Sequence, residues 1–175
     1  MIIDKIKHLN CEPLTLILTR KHIDHRNALW DLKEKYKIPV FYNKKEFDYF
    51  KSLRKIKADK WLIENEIIKV NQITLHVLET GGHSPGRISL YTRDIKDVFG
   101  KNYDGIIFTG DLIFKNNIGR SDIRGGNKEL LCTNIKNKIM YNPKLTDNFL
   151  ILAGHRELTT IGFEKKYNPF KELFL

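Results

Sequence analysis

Cysteine is scarce in this 175-residue chain: Cys11 and Cys132 are the only two, far apart, and neither belongs to a CxxC pair. That spacing argues against a disulfide framework or a structural zinc knuckle, and a reducing cytoplasm is the expected setting. No apolar run approaches the roughly 20 residues that a membrane-spanning helix requires, so a soluble protein with no membrane partner is expected. The chain opens Met-Ile-Ile-Asp-Lys-Ile-Lys, without the basic and apolar regions of an export signal. Internal repeats, low-complexity tracts and linkers are missing as well, which leaves one domain spanning 1–175. Acidic residues are outnumbered, 21 against 31 Lys and Arg, for a net charge of +10. A surplus of that size raises nucleic acid as a partner. The lysines, however, are spread along the whole chain among abundant Ile and Asn, as AT-rich codon usage would give, so no nucleic-acid partner is expected.

What is present reads as alternating strands and helices. Ile2, Ile3, Ile6 and Leu9 recur at helical spacing and predict a short amphipathic helix over 2–9. Leu14 to Thr19 is an apolar run of the kind that lies buried in a sheet. Asn27 is placed to cap a helix through Ala28, Leu29, Leu32 and Tyr36, and a strand follows over 38–42. From Lys44 to Lys60 a helical stripe of Phe47, Phe50 and Leu53 carries charges that need only be a solvated face. Strands over 67–70 and 73–78 flank Asn71-Gln72 as a hairpin, with further strands at 88–92 and 106–109. A helix over 128–140 and a final strand over 149–153 precede a polar tail.

The residues that carry chemistry gather at strand ends. Thr19-Arg20-Lys21-His22-Ile23-Asp24-His25 follows the first strand and offers two imidazoles and a carboxylate within four residues, a mix that suits zinc. Thr80-Gly81-Gly82-His83-Ser84-Pro85-Gly86 surrounds a histidine with turn residues. Asp111 closes Ile107-Phe108-Thr109-Gly110-Asp111, and His155 closes Leu150-Ile151-Leu152-Ala153-Gly154-His155. Loops at strand ends project several side chains into one pocket. His8 and His76 lie within a helix and a strand, where a packing role is expected. Neither cysteine sits in a recognisable nucleophile motif.

In this order, TRKHIDH, GGHSPG, FTGD and AGH closely resemble the THxHxDH, GHTPG, TGD and GH motifs of the metallo-β-lactamase superfamily. The stretches IGRSDIRGGNKELL and LTTIGFEKKYNPF are similar to its hydroxyacylglutathione hydrolase (glyoxalase II) branch. The resemblance implies an α/β fold, the four-layer αββα sandwich, here expected to lack the first strands. It implies a metal centre in which His22 and His83 are first-metal ligands, Asp24, His25 and His155 are second-metal ligands, and Asp111 bridges. Asp24 and Asp111 are then the expected catalytic residues. Zinc is the implied cofactor, as one or two ions, with iron or manganese left open. A metal brings the pKa of bound water towards neutrality, so hydrolysis of a small thioester needs no side-chain nucleophile.

Two departures qualify the expectation. Arg20 stands where the family has the first histidine of its motif, and guanidinium has no lone pair to donate. The Asp24, His25, Asp111 and His155 site is therefore the favoured one. Arg20 either enters the emptied first site, pairing with Asp111 or meeting a substrate carboxylate, or turns to solvent. The chain also starts at the helix that relatives place after a few strands, which would expose sheet surface; a homodimer covering that face is one reading, and a shortened gene product or mis-assigned start is the other. The expected activity is metal-dependent thioester hydrolysis; the alternative is a catalytically impaired member of the fold. Gly119 to Asp122 is expected to brace the loop after Asp111. Arg87, Arg120 and Arg156 are read as surface basic residues.

Overall fold

The computed structural model describes residues 2–20, 28–49 and 57–175. Two sheets carry the fold. The smaller is parallel, with β1 (Leu16–Ile17), β2 (Val40–Tyr42) and β3 (Lys60–Trp61) in sequence order. The larger has six strands in the order β13-β12-β9-β6-β5-β4, where β4 is Ile67–Val70, β5 Ile73–Glu79, β6 Ile88–Thr92, β9 Gly105–Gly110, β12 Phe149–Ala153 and β13 Thr159–Thr160. Between β6 and β12, two hairpins, β7 (Asp97–Val98) with β8 (Lys101–Asn102) and β10 (Ile113–Phe114) with β11 (Asn117–Ile118), project as separate two-stranded sheets.

Side chains on a strand alternate between faces, and here the alternation divides the core into three layers of packing. Leu16, Leu18, Val40 and Tyr42 point away from the large sheet and pack with Leu29, while Ile17 and Phe41 point towards it. Val77, Ile88 and Leu90 meet those two residues in the space between the sheets. On the far side of the large sheet, Leu78, Tyr91, Ile107, Phe149 and Ile151 pack against Leu131, Ile135, Ile139 and Ile161. Leu29 belongs to α2 (Leu29–Tyr36), which follows the N-terminal α1 (Ile2–His8). Leu131 belongs to α4 (Lys128–Asn134) and Ile161 to α5 (Ile161–Tyr167), so the layers run helix, sheet, sheet, helix. Among the described residues no helix is long and apolar enough to cross a membrane.

Several elements differ from the sequence expectation. The first strand is only two residues long, although Leu18 N–H still donates to the Phe41 carbonyl. Ala28 caps α2 without a side-chain hydrogen bond, while the expected cap, Asn27, lies outside the described residues. The charged segment forms α3 (Lys44–Tyr49), Lys60 has already entered β3, and Phe50 and Leu53 lie outside the described residues. The helix over 128–140 begins as α4, capped by Asn127 Oδ1 accepting from Leu130 N–H, and widens to a π-helix over Ile135–Met140. Phe149–Ala153 is not the final strand. β13 adds an edge strand beside β12, and Thr160 caps α5 through the Phe163 N–H.

Hairpin β4–β5 forms as expected, with Asn71 supplying a left-handed φ of 52° at the turn. Of the histidines assigned to packing, His76 stacks on Tyr91 across the sheet and His8 ends α1.

Strand direction positions the site. β9 and β12 are parallel neighbours and end together, with Ala153 opposite Gly110 and Gly154 N–H donating to the Gly110 carbonyl. β6 runs antiparallel to β9, so the loop entering β6 arrives at the same edge. Ile88 N–H donates to the Thr19 carbonyl and ties the end of the first strand segment there too.

Ile151 is fully buried between sheet and helices. Ile151→Ala should lower unfolding free energy by about 2–5 kcal/mol, the cost of a cavity in a packed core, measured by the urea midpoint at unchanged slope. Gly82 has φ +126°, and a Cβ there would run into the Leu131 backbone nitrogen. Gly82→Ala is expected to cost about 2 kcal/mol or more in the same measurement, because both backbone strain and a backbone collision must be relieved.

Candidate metal centre

Four strand-end segments converge. His83 sits in the loop 80–86 between β5 and β6, and that loop is fixed on both sides. Asn134 Nδ2 donates to the Gly81 carbonyl (2.7 Å) and Asn127 N–H to the Gly82 carbonyl (2.6 Å). From the opposite side the Glu46 carboxylate, buried in α3, accepts from Gly86 N–H at 2.8 Å. Glu46 therefore corrects the reading of this helix's charges as a solvated face. Its burial depends on the turn at Gly86, where a Cβ would meet the Glu46 side chain.

Asp111 follows Gly110, whose φ of +47° turns the chain off the end of β9. A Cβ at Gly110 would lie 2.8 Å from Thr19 Oγ1 and 3.3 Å from Arg87 Nη2, so glycine is also what lets these groups close in behind Asp111. Arg87 is fully buried, correcting its reading as a surface residue. Its Nη1 donates to the Thr80 carbonyl and to Thr80 Oγ1 (3.2 and 3.0 Å), whereas Nε and Nη2 make no hydrogen bond among the described residues. Burial pushes the Arg87 guanidinium down to about 9, the Asp111 and Glu46 carboxylates oppose the shift, and the group stays charged at pH 7. The one sequence cue for this placement is position: Arg87 opens directly into β6, every residue of which is buried.

Arg20 enters the pocket. Only 3% of its surface is exposed, which overturns the solvent-facing alternative. One guanidinium nitrogen, Nη2, lies 2.5 Å from Asp111 Oδ2; the other, Nη1, lies 2.7 Å from His83 Nε2. His83 Nδ1 lies 2.7 Å from the Arg120 carbonyl. A carbonyl can only accept, so Nδ1 carries the proton and Nε2 presents its lone pair to Arg20. Burial, and the positive charges of Arg20 and Arg87, push the His83 imidazole down to about 4, so it is neutral at pH 7. The expected brace is in place: the Arg120 carbonyl orients His83, and Gly119 packs on the Asp111 carbonyl too closely for any Cβ.

His155 lies on the other side of Asp111, with Nε2 3.8 Å from Oδ1 and over half its side chain exposed. Phe114 flanks its ring at 6.1 Å between centroids. Of the sequence-derived site residues, His83, Asp111 and His155 are thus brought together with Arg20. His22, Asp24 and His25 lie outside the described residues.

The two halves of the centre fit a metal differently. A metal bound by His83 and Asp111 would stand about 2.0–2.2 Å from each ligand atom. His83 Nε2 and Asp111 Oδ2 are 3.7 Å apart, and both are engaged by the fork of the Arg20 guanidinium, whose charge an ion at the first position would have to displace. On the other side, ligand atoms about 2.1 Å from one tetrahedral ion are separated by about 3.4 Å. The 3.8 Å from Asp111 to His155 is close to that spacing, and the chemistry of the pair suits a divalent ion. Among the described residues no three His, Cys, Asp or Glu side chains form a complete metal-binding group. A cavity of about 620 Å³ opens over the centre, lined by Arg20, His83, Asp111, Phe114, His155 and Arg156.

Comparison with known proteins agrees with the fold. The family model described as the metallo-beta-lactamase superfamily matches residues 9–155. The chain is 33% identical to the probable metallo-hydrolase YqgX of Bacillus subtilis, over 94% of this chain and 79% of that protein. It is 32% identical to the hydroxyacylglutathione hydrolase GloC of Haemophilus influenzae, over 97% of this chain and 81% of that one. The crystal structure of the BLEG-1 B3 metallo-beta-lactamase superposes with a TM-score of 0.83 at 32% identity, covering 97% of this chain and 82% of its own. TTHA1623, solved in a di-iron-bound form, superposes with a TM-score of 0.78 at 25% identity, covering 97% and 83%. With the αββα layers, the convergent strand ends and these matches together, the chain belongs to the metallo-beta-lactamase superfamily of metallo-hydrolases.

Proposed function

We propose that this protein is a metal-dependent hydrolase of the hydroxyacylglutathione hydrolase type, cleaving a small anionic thioester. The observation that carries the reading is the placement of Asp111 and His155 side by side at the ends of parallel strands, facing a cavity large enough for a small substrate. Similarity to GloC over nearly the whole chain supports the thioester class. Asp24 and His25, adjoining the same edge in sequence, are assigned with Asp111 and His155 as ligands of one ion, zinc by preference and iron or manganese as alternatives.

A bound ion would acidify water and polarise the thioester carbonyl. The chain's own residues supply the rest. Asp111 is held in one orientation by Arg20, and His155 stands at the open side where substrate enters. Arg124 and Arg156 also line the cavity, and Arg120, paired with Asp122, completes a basic rim suited to substrate carboxylates. Phe114 and Ile118 give the cavity an apolar wall for the acyl portion.

A second reading, a catalytically impaired member of the fold, is favoured by one observation: the ion pair from Arg20 draws on Asp111, which the proposed ion also needs. The two readings separate in one experiment on purified protein of known metal content. Hydrolysis of S-lactoylglutathione and related thioesters is expected, abolished by chelation and lowered about 100-fold or more by His155→Ala or Asp111→Ala. Because His155 is mostly exposed, His155→Ala should fold normally, and circular dichroism checks this. A normal metal load with no turnover of any thioester would sink the hydrolase reading and leave the impaired one.

A further inference from the structure

Arg20 does more than fail to bind a metal. Its two terminal nitrogens reach the two atoms, His83 Nε2 and Asp111 Oδ2, between which a first ion would have to sit. The His83 tautomer is the one a metal ligand would have, with Nδ1 carrying the proton towards the Arg120 carbonyl and Nε2 offering its lone pair inwards. The accepting groups are therefore arranged for a cation, and a cation is present. The planar fork of guanidinium matches two acceptors at once, cannot be deprotonated at neutral pH, and is tethered to the end of the first strand segment. Burial of all three groups strengthens the arrangement, because a charge pair hidden from water is weakly screened.

We infer that Arg20 is a built-in cation standing permanently in the first metal position, so that the centre takes at most one ion and His83 is the partner of Arg20 instead of a metal ligand. Arg20 is then a positioning residue: it fixes Asp111 through Oδ2 and leaves the His155 side of the carboxylate directed at the remaining position. The inference deepens the proposed reading and rests on it only for which residues hold the remaining ion.

The test is a cobalt(II) titration of the full-length, metal-stripped protein, followed by visible absorbance, with metal content after gel filtration measured by mass spectrometry. The wild type should reach its endpoint at no more than one ion per chain even at a large excess of cobalt. His83→Ala should leave that endpoint unchanged, whereas His155→Ala should abolish it. Arg20→His, which supplies the missing imidazole, should raise the endpoint by one ion. Two ions in the wild type, loss of the ion in His83→Ala, or a folded Arg20→His protein that gains none would each overturn the inference. Should Arg20→His fail to fold, the wild-type and His83→Ala titrations decide the matter. A wild-type endpoint of zero would remove the hydrolase proposal while upholding the exclusion of an ion from the first position, so the two fail separately.

Discussion

The parallel pairing of β9 with β12 is the constraint on which the site depends. Parallel neighbours end at the same edge of a sheet, so Asp111 and His155, each just beyond the end of its strand, are delivered together although 44 positions separate them in sequence. Gly110 and Gly154 make the join close: one turns the chain with a positive φ and the other donates its N–H to the first. Loops at such an edge tolerate polar and charged groups because the strands beneath them are rigid and already satisfied in their backbone hydrogen bonding.

Around that edge the buried polar groups form a connected set. Two guanidinium groups, Arg20 and Arg87, face two carboxylates, Asp111 and Glu46, with a neutral histidine between them. Removing charges from water costs several kcal/mol for each ion, and only close pairing and hydrogen bonding offset it. The set is balanced in sign, which is what allows it to be buried. It also explains why the loop carrying His83 is anchored by Glu46 and Asn134 from opposite sides, since a histidine free to rotate would break the contact with Arg20.

In a centre built for metals, a guanidinium is an unusual occupant with a specific physical effect. It supplies positive charge in a fixed plane and satisfies the same acceptors, but it cannot acidify water or polarise a carbonyl as an ion does. On the proposed reading such chemistry comes from the side of Asp111 that faces His155, where the cavity is open and its rim is basic.

Much of this could be read from the chain alone. Four ordered motifs, through their resemblance to those of the metallo-β-lactamase superfamily, implied the fold and the grouping of His83, Asp111 and His155. The apolar, strand-forming runs of β5, β6 and β9 are a local signal, so those strands were legible, and so was the substitution at Arg20, because a guanidinium cannot ligate. The two-residue β1, the β13 edge strand and the π-helical turn were not legible, since tertiary hydrogen bonds and packing decide them over local propensity. Burial of Arg87 and Glu46 was likewise out of reach: both residue types are ordinarily exposed, and only the meeting of α3, the Gly86 turn and the β9 terminus gives each a compensating partner. Sequence determined which groups were available to the centre. Tertiary structure decided that Arg20 turns inwards, because only the folded edge presents it with two acceptors aligned to its fork.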